Sequence, residues 1–364
     1  MKQIFLKIRL FLLSALGHAK NKGDEDKNIG TIEVKIQFSK PQAIVFKKNL
    51  LKTQELTNKT TLFQIDEKGN VSPVIEGITV THIQPFSYGA YIEINDTESY
   101  IIFFDNSYIQ LPVDYNYKYP APFIGENEEG DLIFRDVSMI KKGSTEFITM
   151  QTTLSNPVAV SLSGNFLTIV NADFSIRQIY NTVGGEGYTI SEYRIVALDK
   201  NTALLSDSRE LIDMRNGNRT KLEISSCLTA IYTGNGAIML LSSYHEPPCM
   251  SYKNTLGFLD NVGKFTMLSH DFNLVMWSSA ALFITDNYYI VKELNQISVV
   301  RKGESTKKSI LDKYNVISMS VTGDRVFFIA EDLFDNKTMG YYSLTTKETI
   351  WIITHEEFDE VFAL

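Results

Sequence analysis

Apolar residues in this chain seldom keep helical spacing. They alternate with polar residues, or gather in short runs that end at Gly, Asn, Asp or Pro. A period of two bounded by turn residues predicts β-strands. The second half is the clearest. Residues 193–199 and 202–207 read as strands joined by Lys200-Asn201. Residues 210–214 and 220–224 follow, joined by the turn Arg215-Asn216-Gly217-Asn218. A second unit begins at Cys227, with strands over 228–232, 237–241, 255–259 and 264–268. A third spans 273–311 and a fourth 316–353. Glycine or asparagine occupies turn positions where a positive φ is needed. Only residues 1–16 suggest a helix of any length, and the tail 355–362 reads either as a short helix or as a strand that meets the other end of the chain.

The units are four strands long and start about 35 to 45 residues apart, the period of a propeller blade. This repeat resembles the β-propeller superfamily. The resemblance implies an all-β fold, a single propeller of four-stranded antiparallel blades. In the less regular first half, the hairpin at 62–74, with its turn Asp66-Glu67-Lys68-Gly69, matches the outer hairpin of a blade well, and 88–95 with 100–111, 123–150 and 158–180 give further hairpins. Counting hairpins allows seven or eight blades, and seven is the expectation. No named subfamily fits. The blades do not end in Trp-Asp, Gly184-Gly185 occurs once where kelch blades repeat the pair, and no Asp-box is present. The competing architecture, two sandwiches or barrels split at Gly184-Gly185-Glu186-Gly187, conflicts with a four-strand period that runs across the split.

Composition narrows the function classes. The chain has 364 residues and a net charge of −8, with 22 Phe and 18 Tyr but 2 Trp. An acidic balance is a poor footprint for nucleic acid, which requires clustered Lys and Arg. The pairs Lys47-Lys48 and Lys307-Lys308 read as solvated turns or edges. At the front, Lys2, Lys7 and Arg9 precede an apolar run over 10–16 and then Gly17-His18-Ala19. That pattern predicts a secretory signal cleaved after Ala19. Residues 1–28 are expected to be a signal-like or flexible leader, residues 29–364 the propeller, and the protein exported if the leader is cleaved. Without it the chain would be cytoplasmic. No apolar run is long enough to predict a transmembrane helix.

Motif-borne chemistry is sparse. The five histidines form no HExxH, no Gly-x-Ser-x-Gly or phosphate loop occurs, and no catalytic residue, metal or cofactor is predicted. In a propeller, the loops from strand two to three and from blade to blade share one face around the central channel. Expected there are Asp207 and Arg209; Tyr244, His245 and Glu246; Asp286, Tyr288 and Tyr289; and Glu331 and Asp332, followed by Leu333-Phe334-Asp335. The blade-to-blade stretch 114–119, rich in Tyr, should join them. Cys227 and Cys249 are placed where a disulfide is topologically permitted. The function expected is non-enzymatic: a binding or scaffold propeller for a protein or glycan partner. The alternatives are a subunit of a larger surface or viral assembly, and a carbohydrate hydrolase or lyase using His245 with Glu331.

Overall fold

A computed structural model describes residues 5–9, 31–35, 38, 41–47, 60–76, 78–94, 98–111, 123–136, 138–150, 157–163, 166–171, 177–181, 187–190, 195–199, 201–205, 208–213, 215–224, 226–233, 235–243, 253–273, 282–293, 296–352 and 357–364. Among them are eight four-stranded antiparallel sheets and one two-stranded pair, with no helix. The pair joins Phe5–Arg9 to Thr31–Lys35, so a strand stands where residues 1–16 suggested a helix.

The sheets follow one another along the chain. Blade 2 is Val80–Phe86, Gly89–Ile94, Glu98–Phe103 and Tyr108–Gln110; blade 3 is Phe123–Glu126, Leu132–Phe134, Ser138–Ile140 and Phe147–Thr149. Blade 4 is Pro157–Ser163, Phe166–Asn171, Arg177–Asn181 and Gly187–Ile190; blade 5 is Ile195–Ala197, Thr202–Leu205, Glu210–Asp213 and Arg219–Lys221. Blade 6 is Ser226–Tyr232, Gly236–Ser243, Lys253–Asp260 and Phe265–Phe272; blade 7 is Leu282–Ile284, Tyr288–Lys292, Ile297–Arg301 and Lys307–Ile310. Blade 8 is Asn315–Thr322, Arg325–Glu331, Lys337–Ser343 and Thr349–Ile352. Blade 1 is composite: Glu360–Ala363 from the C-terminal end joins Ala43–Phe46, Leu62–Ile65 and Val71–Pro73.

The described residues therefore form a β-propeller with eight four-stranded sheets, the higher of the two counts the hairpins allow and one above the expected seven. The outer hairpin of blade 1 is the one read at 62–74, and its first strand comes from the far end of the chain, so the two ends meet in one blade. The tail is a strand, not a helix. Gly187 opens the fourth strand of blade 4, so the chain does not divide there.

First strands of consecutive blades approach one another at the 2/3, 3/4, 5/6 and 8/1 seams, which makes them the inner ring. Apolar residues on facing sheets fill the seams. Ile44, Leu62, Val80 and Ile92 pack between blades 1 and 2. Leu204, Leu211, Met239 and Leu259 pack between blades 5 and 6, and Ile290, Val299, Val316 and Phe328 between blades 7 and 8. Each such side chain contributes roughly 1.5–3 kcal/mol on burial. A Cβ on Gly340 would lie 2.4 Å from the Ile350 carbonyl oxygen, and one on Gly89 would lie 2.4 Å from that of Ile102. Only glycine fits at either position.

An inner strand has one edge without a strand partner, and its N–H and C=O groups need other partners. Several first strands also bulge. Ile124 and Ile317 each stand unpaired at a register shift. In each case the preceding blade supplies the missing bond. Gln84 Nε2 donates to the Ile124 carbonyl at 2.8 Å, and Lys292 Nζ to that of Ile317 at 2.6 Å. Thr61 Oγ1 both donates to and accepts from Val80 at 2.8 Å. At the closing seam, Val361 N–H donates to Ser318 Oγ at 3.1 Å and Ala363 N–H to Ser320 Oγ at 2.8 Å.

Closure rests on a further group. Phe358 is buried and meets Phe63 edge-on, with ring centroids 5.3 Å apart. Lys337 Nζ pairs with Asp359 Oδ1 at 2.5 Å, with both side chains mostly buried. Replacing Phe358 with Ala should cost about 3–5 kcal/mol through lost burial and the cavity left behind. Urea unfolding of the variant checks this, and a loss below about 1 kcal/mol would mean that Phe358 does not hold the closing strand.

Candidate functional site

Strand order fixes two faces. Turns from strand one to two and from three to four lie on one. Loops from strand two to three, and from blade to blade, lie on the other, which surrounds the mouth of the channel.

The channel mouth opens into a cavity of about 900 Å³ between blades 8, 1 and 2, reaching Phe283 of blade 7. Glu331, at the end of a second strand, lines it with Asn315, Lys337, Asp359, Glu360 and His82. Asn315 Nδ2 donates to Glu331 Oε2 at 3.4 Å. The His82 ring meets Tyr91 edge-on at 5.9 Å, and its Nε2 is buried without a hydrogen bond among the described residues. The wall mixes carboxylates, a lysine and an imidazole. Among the described residues no three His, Cys, Asp or Glu side chains are grouped to hold a metal ion.

Beside Glu331 the chain turns tightly. Asp332 Oδ1 accepts from Phe334 N–H at 2.7 Å and Asn336 N–H at 3.0 Å, and Asn336 Nδ2 donates to Asp332 Oδ2 at 2.9 Å. Asp335 sits at φ 61°. The turns at Asp66 and Asp260 have the same construction. There Asp66 accepts from Lys68 and Asn70, and Asp260 from Val262 and Lys264, with Gly69 and Gly263 in the left-handed position. Those turns lie on the opposite face. The Asp332 turn alone among these three points from the mouth face, and it holds Leu333 91% and Phe334 83% exposed. The Asp260 turn likewise leaves Val262 79% exposed, but the Asp332 turn presents two adjacent large apolar side chains.

The sequence-selected residues divide. Glu331 lines the mouth and Asp332 builds the turn beside it. Arg209 is exposed at φ 58° in a strand-two-to-three loop of blade 5, on the same face. Asp286 and Tyr288 are corrected. Asp286 lies in the turn between the first and second strands of blade 7 and Tyr288 opens the second, so both lie on the opposite face and do not join Glu331. Tyr289 is buried within the second strand of that blade. The sequence pattern starts this unit at residue 273, but its first strand is Leu282–Ile284, only three residues long, so the strand before residues 286–289 counts as the second instead of the first. Asp207, Tyr244, His245, Glu246, the 114–119 stretch and Cys249 lie outside the described residues. Cys227 falls in the first strand of blade 6, beside a register shift.

Sequence reasoning missed His82, Lys337 and Asp359 as mouth residues. Lys337 and Asp359 come from two blades and meet only when the ring closes. His82 sits past the bulge after Val80, which no local pattern announces.

No known family model matches the chain, and no curated protein sequence matches it. Several solved structures do. Dihydro-heme d1 dehydrogenase NirN in complex with DHE is 10% identical over 86% of this chain and 73% of its own, with a TM-score of 0.51. The β-propeller domain of the Trilobed protease from Pyrococcus furiosus is 10% identical over 77% of this chain and 99% of its own, with a TM-score of 0.45. BamB from Moraxella catarrhalis is 11% identical over 79% and 86%, with a TM-score of 0.40. At such identities the likeness concerns fold alone.

The bonds to Asp332 hold its carboxyl below the ordinary value of 3.8, the Asn336 side-chain amide first among the causes. A depressed carboxylate keeps its bonds above the ordinary value and loses them as pH falls through the lowered one. The Phe334 and Asn336 amide resonances should therefore titrate with a midpoint below 3.8. An NMR titration giving a midpoint at or above that value would show that the turn does not depend on Asp332.

Proposed function

We propose that this chain is a binding propeller, without catalysis of its own, that seats a protein partner on its channel-mouth face. The observation that carries the reading is the Leu333-Phe334 pair, held in solvent by the Asp332 turn at the rim of the mouth cavity. Large apolar side chains presented by a rigid turn suit a partner pocket, because little conformational freedom is lost when they dock. Glu331, Asp332 and Asp335 surround the pair with negative charge. The fitting partner surface is an apolar pocket rimmed by Lys or Arg. Such a rim would speed encounter and fix orientation, while the buried apolar pair supplies most of the affinity.

Replacing both residues with serine, Leu333→Ser and Phe334→Ser, should leave thermal unfolding unchanged because neither side chain packs in the core. The same change should lower recovery of a specific partner from the native host by about tenfold or more, since anchors of this kind carry about 2 kcal/mol or more each. Quantitative pull-downs with wild type and variant side by side check this. Equal recovery by the two would remove the proposed anchor.

A further inference from the structure

On the face opposite the mouth, blades 7 and 8 leave a groove between them. Its outer part has a volume of about 500 Å³ and its inner part about 360 Å³. The two parts share Asn287, Tyr288, Leu344 and Thr345, so they form one continuous trough. Charge is distributed unevenly along it. Arg301, Lys307, Lys308 and Lys347 line the outer part with a single carboxylate, Glu304. Asp286 and Asp324 line the inner part, with no cation beside them in the lining.

Some of these charges serve the fold. Lys307 pairs with the buried Glu293 at 3.0 Å, and Lys308 Nζ donates to the Tyr342 hydroxyl at 3.0 Å. Arg301 and Lys347 are exposed. Arg301 meets Glu304 at 3.4 Å, an exposed contact that water screens. Lys347 is held at φ 62° by a turn in which its N–H donates to the Ser343 carbonyl at 2.9 Å. In a chain with a net charge of −8 this concentration of positive charge runs against the composition. Where the two parts meet, Leu344 and Tyr288 provide apolar and aromatic wall, and Val299 and Tyr342 are buried in the wall of the outer part.

We propose that this groove is a second binding site, for a peptide segment that is acidic at one end and carries a cation at the other. Opposed charges along one trough favour such a ligand over a continuous polyanion, because a nucleic acid or polyphosphate reaching inward would meet Asp286 and Asp324. The central wall suits an aromatic or aliphatic residue between the two charged ends. The site stands independently of the mouth-face reading, since it uses the other face.

The test is fluorescence polarisation with the full chain. The probe is a labelled peptide with lysines at one end, a central tyrosine and glutamates at the other. Arg301→Ala combined with Lys347→Gly removes the two cations without a contact to the body of the fold, leaving Lys307 and Lys308 in theirs, and glycine retains the backbone conformation of Lys347. The expected result is saturable binding that weakens about tenfold in the double variant and on raising salt, with all-glutamate peptide and an oligonucleotide binding less tightly than the probe. The Leu333→Ser and Phe334→Ser variant should bind the probe as wild type does, which separates this site from the mouth face. No binding at millimolar peptide, equal binding by the double variant, or tighter binding of the oligonucleotide would each overturn the proposal.

Discussion

Glu360–Ala363 pair with Ala43–Phe46, and the ring exists only if that pairing holds. Each blade leaves apolar surface on two faces, and a neighbour on each side covers it. A chain of blades with free ends would expose two such faces. The closing strand removes both, placing Val361 and Phe358 against Val45, Phe63, Phe327 and Ile329 in one apolar cluster that joins the last blade to the first. Ser318 and Ser320 of blade 8 accept from its N–H groups, and Lys337 Nζ donates to Asp359. Closure is costly in chain entropy because its partners lie at opposite ends of the sequence, so it needs this density of contacts to persist.

The mouth face follows from the same constraint. Glu331, Lys337 and Asn315 come from blade 8, Asp359 and Glu360 from the closing strand and its approach, and His82 from blade 2. The mouth cavity is assembled at the seam where the ring closes. The Asp332 turn stands on that seam's rim, so its apolar tip inherits the rigidity of the surrounding sheets. Function of this kind depends on a scaffold that places loops from separate blades at fixed distances.

How far the sequence could be read follows from which interactions are local. Blades 5, 6 and 8 were legible because each hairpin states its own strands and turn, as in Glu210–Asp213 and Arg219–Lys221 around Asn216-Gly217. The Asp332 turn was visible as a polar loop on the correct face. Blade 1 was legible only in its outer hairpin because its inner strand is contributed from elsewhere, and blade 3 was obscured because Leu132–Phe134 and Ser138–Ile140 are too short to alternate. The edge-capping roles of Gln84, Lys292 and Thr61 leave no periodic trace, since each partner lies on another blade. Asp286 and Tyr288 were assigned to the wrong face because one three-residue strand shifts the count by one.

Amide hydrogen exchange across the closing strand tests the account most directly. If the ring closes as described, the N–H groups of Val361 and Ala363 and those of Ala43–Phe46 exchange as slowly as the inner strands of blades 7 and 8, and all open together on global unfolding. Exchange of Val361 and Ala363 on the timescale of an exposed loop, while the other blades remain protected, would contradict closure and with it the shared origin of the scaffold and its mouth.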